Sequence, residues 1–321
     1  MTGPQDNKPE DSGSVADAAP DNWVDRWAPA FTRPYLRLMR ADRPIGTWLL
    51  FWPGAWAIAL AAPLTDRYVL YPEILYLLAL FLVGAFVMRG AGCVWNDYTD
   101  RDIDAQVART ASRPIPSGQI SGSAALVFLG VLLLIGFLIL IQLSWAAIGL
   151  GVASLALITI YPFAKRFTWW PQVFLGLAIN WGALMGWAAV TGSLTLAPVF
   201  LYLAGICWTL GYDSIYAHQD KEDDALIGVK STALRLGANT KTWLWGFYGL
   251  TLVFLSLAGI FAGIGYLYFA GLLFGAFHLM RQVRDTDLDR PEECLAAFKS
   301  NRDFGVIVFA SLLAGTLGTS L

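Results

Sequence analysis

Residues 77–104 read LLALFLVGAFVMRGAGCVWNDYTDRDID, so that a long apolar run ends in a segment with four aspartates. The apolar part suits a membrane-spanning helix, which needs about 20 mainly apolar residues. Carboxylates gathered beside lipid repel one another and lose hydration, so their clustering requires a compensating cation. The stretch therefore predicts a membrane helix that ends in a cation-binding segment.

The composition is that of a membrane protein. Of the 321 residues, 56% are hydrophobic and only 14% are charged, whereas about 25% of the residues of a soluble domain are charged. The formal net charge of −2 gives no general attraction to nucleic acid, so no nucleic-acid partner is expected. The three cysteines, Cys93, Cys207 and Cys294, form no CxxC pair and indicate neither a disulfide framework nor a zinc site.

Nine segments are long and apolar enough to span a bilayer, and none alternates as a barrel strand would. They are residues 44–63, 73–96, 120–141, 143–163, 170–191, 195–213, 242–262, 264–280 and 303–320. The sequence therefore predicts an all-α integral membrane protein.

Three regions are predicted along the chain. Residues 1–22 are polar and acidic, without the pattern of a secretory signal or a mitochondrial transit peptide, and are predicted to be a disordered tail. Residues 23–43 mix Trp, Tyr and Leu with Arg, which is typical of a segment lying at the membrane surface. Residues 44–321 are predicted to form the transmembrane domain.

The basic residues predict the orientation. Twenty of the 22 Lys and Arg lie before the first span or in the loops 97–119, 164–169, 214–241 and 281–302, which all fall on one side of the membrane. Because cytoplasmic loops carry the positive excess, we expect these loops and the N-terminus to be cytoplasmic. The expected setting is a bacterial inner membrane with a periplasmic C-terminus.

The first acidic cluster falls on one helix face. Residues advance about 100° each along an α-helix. With Asp97 at zero, Asn96, Asp100 and Asp104 lie at roughly −100°, −60° and −20°, whereas Asp102 lies at about 140°. If the helix continues through Asp104, it presents three carboxylates and one amide together and turns Asp102 away.

A second acidic run, DSIYAHQDKEDD at residues 213–224, follows the sixth predicted span. On a continuous helix Asp213, Asp220 and Asp224 fall within about 40° of one another, and His218 lies off that stripe. One acidic run is ordinarily a set of solvated loop charges. Two helically phased runs at span ends on the same side favour a binding site instead.

The donor types at these clusters favour one metal. Oxygen ligands without His or Cys suit Mg²⁺, which uses few carboxylates and is shared with phosphates. Basic residues stand beside both clusters and on the same face of the membrane. Carboxylates, Mg²⁺ and basic side chains together describe a diphosphate site, and the absence of a Gly-rich Walker loop argues against an NTPase.

Two motifs and four flanking segments carry a family resemblance. NDYTDRDID fits the pattern NDxxDxxxD, and DSIYAHQDKEDD fits DxxYAxxDxxxD. The flanking segments are RADRPIGTWLLFWP, RTASRPIPSG, YPFAKRFTWWPQ and LIGVKSTALRLG. In these residues the chain resembles the UbiA-type intramembrane prenyltransferases, and among them the branch that uses 4-hydroxybenzoate for ubiquinone biosynthesis. The resemblance covers about residues 37–320.

The resemblance implies nine transmembrane helices around a central cavity that opens to membrane lipid, with a cytoplasmic cap of loops. It implies Mg²⁺-dependent transfer of a polyprenyl group from polyprenyl diphosphate to the ring carbon ortho to the hydroxyl of 4-hydroxybenzoate.

The resemblance also implies a role for each motif residue. One Mg²⁺ would be held by Asn96, Asp97, Asp100 and Asp104, and a second by Asp213, Asp220 and Asp224. Loss of Asp100, Asp104, Asp220 or Asp224 would stop catalysis. The diphosphate would contact Arg113, Lys165, Arg166 and Lys230. Arg43, at the start of the first span, is open between pairing with the carboxylate of the acceptor, for which Arg40 is the next candidate, and acting as a positively charged membrane anchor.

Some alternatives stay open. Another acceptor, such as haem, chlorophyllide or a naphthoate, would keep the same motifs. A transporter would carry its intramembrane carboxylates near the midplane of the bilayer rather than at span ends, so transport is disfavoured. Arg89, inside the second span, is open between a structural ion pair and a direct role.

Overall fold

The computed structural model describes residues 22–106, 110–228 and 230–317, and all regular secondary structure in these ranges is helical. The α-helices are α1 Trp23–Trp27, α2 Arg33–Leu38, α3 Ile45–Ala61, α4 Pro72–Asp104, α5 Gly122–Leu140, α6 Trp145–Ile160, α7 Ala164–Phe167, α8 Pro171–Ile179, α9 Gly182–Thr191, α10 Leu196–Tyr216, α11 Lys221–Ile227, α12 Thr232–Leu236, α13 Thr240–Ala262, α14 Tyr266–Asp285 and α15 Pro291–Leu317. Short 3₁₀ turns occupy Ala62–Thr65, Tyr161–Phe163, Ala217–Asp220 and Gly237–Asn239. The predicted all-α class is confirmed.

Each of the nine predicted spans overlaps a helix, but not all are equally apolar. Within the described ranges, seven helical stretches, those built on α3, α4, α5, α6, α8 with α9, α10 and α13, are long and apolar enough to cross a membrane. Polar residues lower the hydropathy of the last two, with His278, Arg281 and Gln282 in α14 and a charged first half in α15. The count of nine spans therefore stays a prediction.

The described chain divides into two compact units. One comprises the residues up to Pro44 together with Val87–Ile135, and the other comprises Ile45–Phe86 together with the residues from Gly136 onward. The acidic end of α4 belongs to the first unit, and the second acidic run belongs to the second. Each unit therefore carries one motif.

The first unit is built around a small apolar core. Val24 and Leu38 from the N-terminal helices are fully buried there with Val94 of α4, and Ala125 of α5 joins them. A Cβ added at Gly90 would lie 2.9 Å from the side chain of Met39, so this glycine lets the segment after α2 approach α4 closely. This packing holds residues 37–43 beside the last turns of α4.

The second unit is organised around α3, whose span is 83% buried. It packs between α9 and α15, and the Trp56 indole donates a hydrogen bond of 3.0 Å to the main-chain carbonyl of Gly305. A Cβ added at Gly186 would lie 2.5 Å from the carbonyl oxygen of Gly54. Small residues at such crossings let membrane helices touch along their backbones.

Candidate active site

The first acidic cluster lies on a continuous helix. Pro at the first position suits a helix start, and no Pro or Gly follows Gly92, so α4 runs unbroken to Asp104. The hydroxyl of Thr110 donates 2.8 Å to the main-chain carbonyl of Asp104, which satisfies one of the carbonyls left open at a helix end. The helix thus continues through Asp104, as the predicted helical phasing of the aspartates requires.

Burial separates the aspartates as the helical phase predicts. Asp97 and Asp100 are each 1% exposed and Asp104 is 6% exposed. The side chain of Asp102, on the opposite face, is 85% exposed and lies 3.8 Å from Arg101. Asn96 is half-buried on the acidic face. Three carboxylates are therefore kept out of water in one place.

Two arginines bind the buried carboxylates. Arg40 Nη2 lies 2.9 Å from Asp97 Oδ1. Arg113 Nη1 lies 2.8 Å from Asp104 Oδ2 and 3.4 Å from Asp97 Oδ1. Both arginines are mostly buried, with side-chain exposures of 9% and 12%. The pairs offset the cost of burying charge at this end of α4.

Arg40 reaches Asp97 through an unusual backbone. It has φ of 60° directly after α2, where its N–H donates to the carbonyl of Arg37 and the N–H of Ala41 donates to that of Leu36. This is the Schellman arrangement, in which glycine normally takes the left-handed position. No local sequence pattern predicts this contact, because Arg40 and Asp97 are 57 residues apart.

The cluster partly fits a metal. Asp97 Oδ2 is buried and has no hydrogen-bond partner among the described residues, so it is an oxygen donor still to be satisfied. Among the described residues, however, no three Asp, Glu, His or Cys side chains converge tightly enough to hold an ion. Arg40 and Arg113 pair with Asp97 and Asp104 instead.

The second motif departs from the continuous helix that the phasing assumed. After α10 the chain passes through the 3₁₀ turn Ala217–Asp220 before α11 begins. A 3₁₀ helix has three residues per turn, so the predicted 40° stripe does not carry across this turn. Asp213 is half-buried at the end of α10, whereas the side chains of Asp220 and Asp224 lie outside the part of the chain that the structure describes.

His218 is buried in this turn, where its Nε2 lies 3.1 Å from the hydroxyl of Thr240. It packs against α13 and is not grouped with other potential metal ligands among the described residues.

Three of the predicted diphosphate residues come together in the second unit. The main-chain N–H of Lys230 donates 3.3 Å to the carbonyl of Lys165, and its Nζ lies 3.4 Å from the carbonyl of Phe167. The same ammonium lies 5.7 Å from the ring centroid of Trp169. Arg166 belongs to the same segment as Lys165, so Lys165, Arg166 and Lys230 form one basic group.

Arg43 pairs with its own neighbour. Its Nη2 lies 3.1 Å from Asp42 Oδ2, and the Asp42 side chain is fully buried. The positive charge of Arg43 is thus partly balanced within the chain. Its predicted contact with an aromatic acid stays a prediction.

The chain is similar to proteins of one family along most of its length. Residues 50–313 match the model of the UbiA prenyltransferase family. The chain belongs to the UbiA prenyltransferase family. Relatives described as mitochondrial 4-hydroxybenzoate polyprenyltransferases are 52% identical in Drosophila pseudoobscura pseudoobscura, 49% in Arabidopsis thaliana and 50% in Homo sapiens. These matches cover 90%, 97% and 90% of this chain and 72%, 75% and 77% of the relatives.

Solved structures of UbiA homologues share the fold. The homologue from Aeropyrum pernix K1, without ligand, has a TM-score of 0.65 at 22% identity and covers 85% of this chain and 98% of its own. The homologue from Archaeoglobus fulgidus, bound to GPP and Mg²⁺, has a TM-score of 0.61 at 18% identity and covers 90% and 100%. The Archaeoglobus fulgidus homologue was thus solved with GPP and Mg²⁺ bound on this architecture.

The predicted location is wrong. The UbiA relatives of about 50% identity are mitochondrial enzymes of an insect, a plant and a mammal, which points to a mitochondrial membrane rather than a bacterial inner membrane. The distribution of basic residues shows which loops share a side, but it carries no information about which membrane they border. The multi-pass character itself is supported by the seven apolar helices in the described ranges.

Proposed function

We propose that this protein is an aromatic prenyltransferase that transfers a polyprenyl group from polyprenyl diphosphate to 4-hydroxybenzoate, in ubiquinone biosynthesis. One observation carries the proposal: relatives named for this reaction are about 50% identical over some 90% of the chain. The buried aspartates of the first motif supply the chemistry that the reaction needs.

The reaction begins with heterolysis of the allylic C–O bond, whose electron pair leaves with the diphosphate. The charge that develops there is the main feature that the site must stabilise. Mg²⁺, when bound, supplies a Lewis acid for the leaving diphosphate. The ring carbon ortho to the hydroxyl then attacks the allylic cation, and loss of its proton restores aromaticity.

Seven side chains are proposed to hold the metal. Asn96, Asp97, Asp100 and Asp104 would bind one Mg²⁺, and Asp213, Asp220 and Asp224 a second. Support for the first set comes from the burial of its three carboxylates on one face and from the unsatisfied Asp97 Oδ2. Of these residues, Asp100, Asp104, Asp220 and Asp224 are proposed to be indispensable for turnover.

Four basic residues are proposed to bind the diphosphate. Arg113, which pairs with Asp104 and Asp97 in this structure, would contribute its guanidinium to the diphosphate. Lys165, Arg166 and Lys230 are proposed to bind the diphosphate as one basic group, and the backbone contact between Lys230 and Lys165 supports this grouping. The positive charge of these side chains would be worth most in the transition state, when the leaving group carries most charge.

We propose that α5 and α6 face membrane lipid. Only 11% of the span of α5 and 17% of that of α6 is buried inside the protein. Val127, Leu134 and Phe137 on α5 are each at least half exposed. Apolar surface on this scale is stable in hydrocarbon and would aggregate in water.

The test is a product assay with the purified protein in lipid nanodiscs. It combines isotopically labelled 4-hydroxybenzoate, prenyl diphosphates of several lengths and Mg²⁺, with mass spectrometry of the extracted lipid. We expect a 3-polyprenyl-4-hydroxybenzoate that disappears when EDTA removes the metal. Product from a naphthoate but none from 4-hydroxybenzoate would overturn the acceptor, and full turnover in chelator would overturn the ionisation mechanism.

A further inference from the structure

A cavity of about 350 Å³ lies in the second unit, between the turn that follows α3, the turn that joins α13 to α14, and the end of α15. Its lining contains no residue of either acidic motif or of the basic group. The volume falls in the range of small-molecule sites, which is about 300–1,000 Å³. The cavity is therefore large enough to hold a ligand that takes no part in the proposed reaction.

The cavity lies at the level of a membrane surface. α13 begins shortly after the second acidic run and ends at the cavity, and its 23 residues extend for about 35 Å. The hydrocarbon core of a bilayer is about 30 Å thick, so the helix is long enough to cross it. Tyr68 lines the cavity, and its ring is exposed, as are those of Tyr71 and Tyr266 nearby in the sequence. Tyr is enriched at membrane–water boundaries. A ligand of this cavity would therefore come from the lipid layer opposite the acidic motifs.

Asp66 and Arg67 bring opposite charges to the cavity wall. Both side chains are exposed, and within the described ranges neither makes a hydrogen bond or an ion pair with the protein. Neighbouring loop charges are ordinarily solvated and contribute little. These two differ because they line a cavity whose walls also include the apolar side chains of Leu60 and Ile264. Such a wall suits an amphiphile that carries both a positive and a negative charge.

The backbone holds both sides of the cavity in place. Asp66 has φ of 57°, and its N–H donates back into the preceding 3₁₀ turn. The N–H of Arg67 donates 3.2 Å to the carbonyl of Ala62, a fully buried residue. Across the cavity, the N–H of Gly265 donates 3.3 Å to the carbonyl of Gly315, which ties the start of α14 to α15. A site formed in advance lowers the cost of ordering on binding.

Apolar surface continues from the cavity along α13. Ala262 lines the cavity, and the two residues before it, Ile260 and Phe261, are 61% and 52% exposed. Leu64, on the opposite wall, is 54% exposed. A charged group bound between Asp66 and Arg67 could therefore carry hydrocarbon chains that lie against the protein.

We propose that this cavity binds the headgroup of a phosphatidylethanolamine from the leaflet opposite the acidic motifs. The guanidinium of Arg67 donates to the lipid phosphate, and the lipid ammonium donates to the carboxylate of Asp66. Hydrogen bonds between charged groups of this kind are stronger than neutral ones. A choline headgroup has no N–H to donate to Asp66, and an anionic glycerol headgroup has no cation to pair with it. The inference goes beyond the proposed function and does not depend on it.

The test measures lipid binding to the full-length protein by native mass spectrometry. Dioleoyl phosphatidylethanolamine, phosphatidylcholine and phosphatidylglycerol are compared on the wild type, Asp66→Asn and Arg67→Gln. The wild type should bind phosphatidylethanolamine about fivefold more tightly than phosphatidylcholine, the upper scale of an exposed ion pair. Asp66→Asn should lose this preference but keep its affinity for phosphatidylcholine within about twofold. Arg67→Gln should bind both lipids about fivefold more weakly, because both carry the phosphate.

The controls are Arg281→Gln and Asp285→Asn, which alter an exposed pair 3.1 Å apart at the other end of α14. Both should bind all three lipids as the wild type does. A second readout is thermal unfolding, because a lipid that binds the folded protein raises its apparent Tm. Phosphatidylethanolamine should raise the apparent Tm of the wild type more than phosphatidylcholine does, and Asp66→Asn should abolish this difference.

Four results would overturn the assignment. They are equal binding of phosphatidylethanolamine and phosphatidylcholine by the wild type, an unchanged preference in Asp66→Asn, tighter binding of phosphatidylglycerol than of phosphatidylethanolamine, and equal losses in the two controls. If Arg67→Gln does not fold, Asp66→Asn decides alone, because Asn tolerates a positive φ as Asp does.

Discussion

Replacing Arg40 tests whether the buried ion pair with Asp97 stabilises the first unit. Arg40→Ala leaves an aspartate that is 1% exposed without its nearest cation, 2.9 Å away. Breaking a buried pair in this way costs roughly 3–5 kcal/mol. Arg113, 3.4 Å from the same carboxylate oxygen, still compensates in part, so a loss of about 3 kcal/mol is expected.

The left-handed backbone conformation of Arg40 separates the effect of the lost charge from the effect of backbone strain. With φ of 60°, any residue with a Cβ stores strain of about 1 kcal/mol that glycine does not. Arg40→Gly should therefore be about 1 kcal/mol more stable than Arg40→Ala, although both lose the guanidinium. In an Asp97→Asn background the loss from Arg40→Ala should fall to about 1 kcal/mol, because no buried charge remains to be orphaned.

The assay is thermal unfolding of each variant in one detergent, where a change of 1 kcal/mol corresponds to about 2–4 °C in apparent Tm. Arg37→Ala is the matched control, because its partner Asp25 is 26% exposed and water can replace the lost contact. Equal apparent Tm values for Arg40→Ala and Arg40→Gly would refute the strain argument. Full additivity of the Arg40 and Asp97 substitutions would refute the ion-pair argument.

Three further predictions follow from the same features. Asp100→Ala should reduce kcat at least 100-fold, whereas Asp102→Ala, on the exposed face, should stay within about twofold of the wild type in the product assay; equal losses at matched protein levels would contradict the helical phasing. Lys230→Ala should raise the KM for prenyl diphosphate by about 10-fold with little change for the aromatic acid, as expected for a lost diphosphate contact; a selective effect on the acid would remove Lys230 from the diphosphate site. Burial, together with nearby carboxylates, raises the pKa of the Cys294 thiol to about 11. In a variant without the other cysteines, maleimide should therefore label Cys294 at pH 7.5 at least 100-fold more slowly than an ordinary thiol, and faster as the pH rises; rapid labelling at pH 7.5 would show that the thiol is neither buried nor shifted.

Hydropathy predicted where the long helices lie, but it did not predict the break within one span or the true start of the last helix. The predicted span 170–191 is broken between α8 and α9, where the amide of Asn180 donates to the hydroxyl of Thr209 on α10. Such a contact depends on a residue 29 positions away. The final helix begins at Pro291, twelve residues before the predicted start, because its first half is charged. The buried residues Cys294, Ala297 and Asn301 recur at helical spacing there, a signal that periodicity could have detected.

The site was predictable in part. The phase of α4 separated buried from exposed aspartates because one regular helix carries all of them. Helical phasing does not apply to the second motif, because the 3₁₀ turn Ala217–Asp220 changes the rotation per residue. The contact of Arg40 with Asp97 depends on a left-handed residue and on tertiary packing, neither of which leaves a trace in hydropathy or local spacing.

The unbroken length of α4 has a mechanical consequence. Its 33 residues extend for about 50 Å, whereas the hydrocarbon core of a bilayer is about 30 Å thick. The acidic C-terminal end of α4 therefore extends beyond the hydrocarbon core. Its height above the lipid depends on the depth and tilt of the rest of the helix in the membrane. A thicker bilayer would bring the acidic end closer to the lipid, and a thinner bilayer would tilt the helix. If the proposed function is right, membrane thickness would set the level at which the diphosphate of a membrane-embedded substrate meets the aspartates.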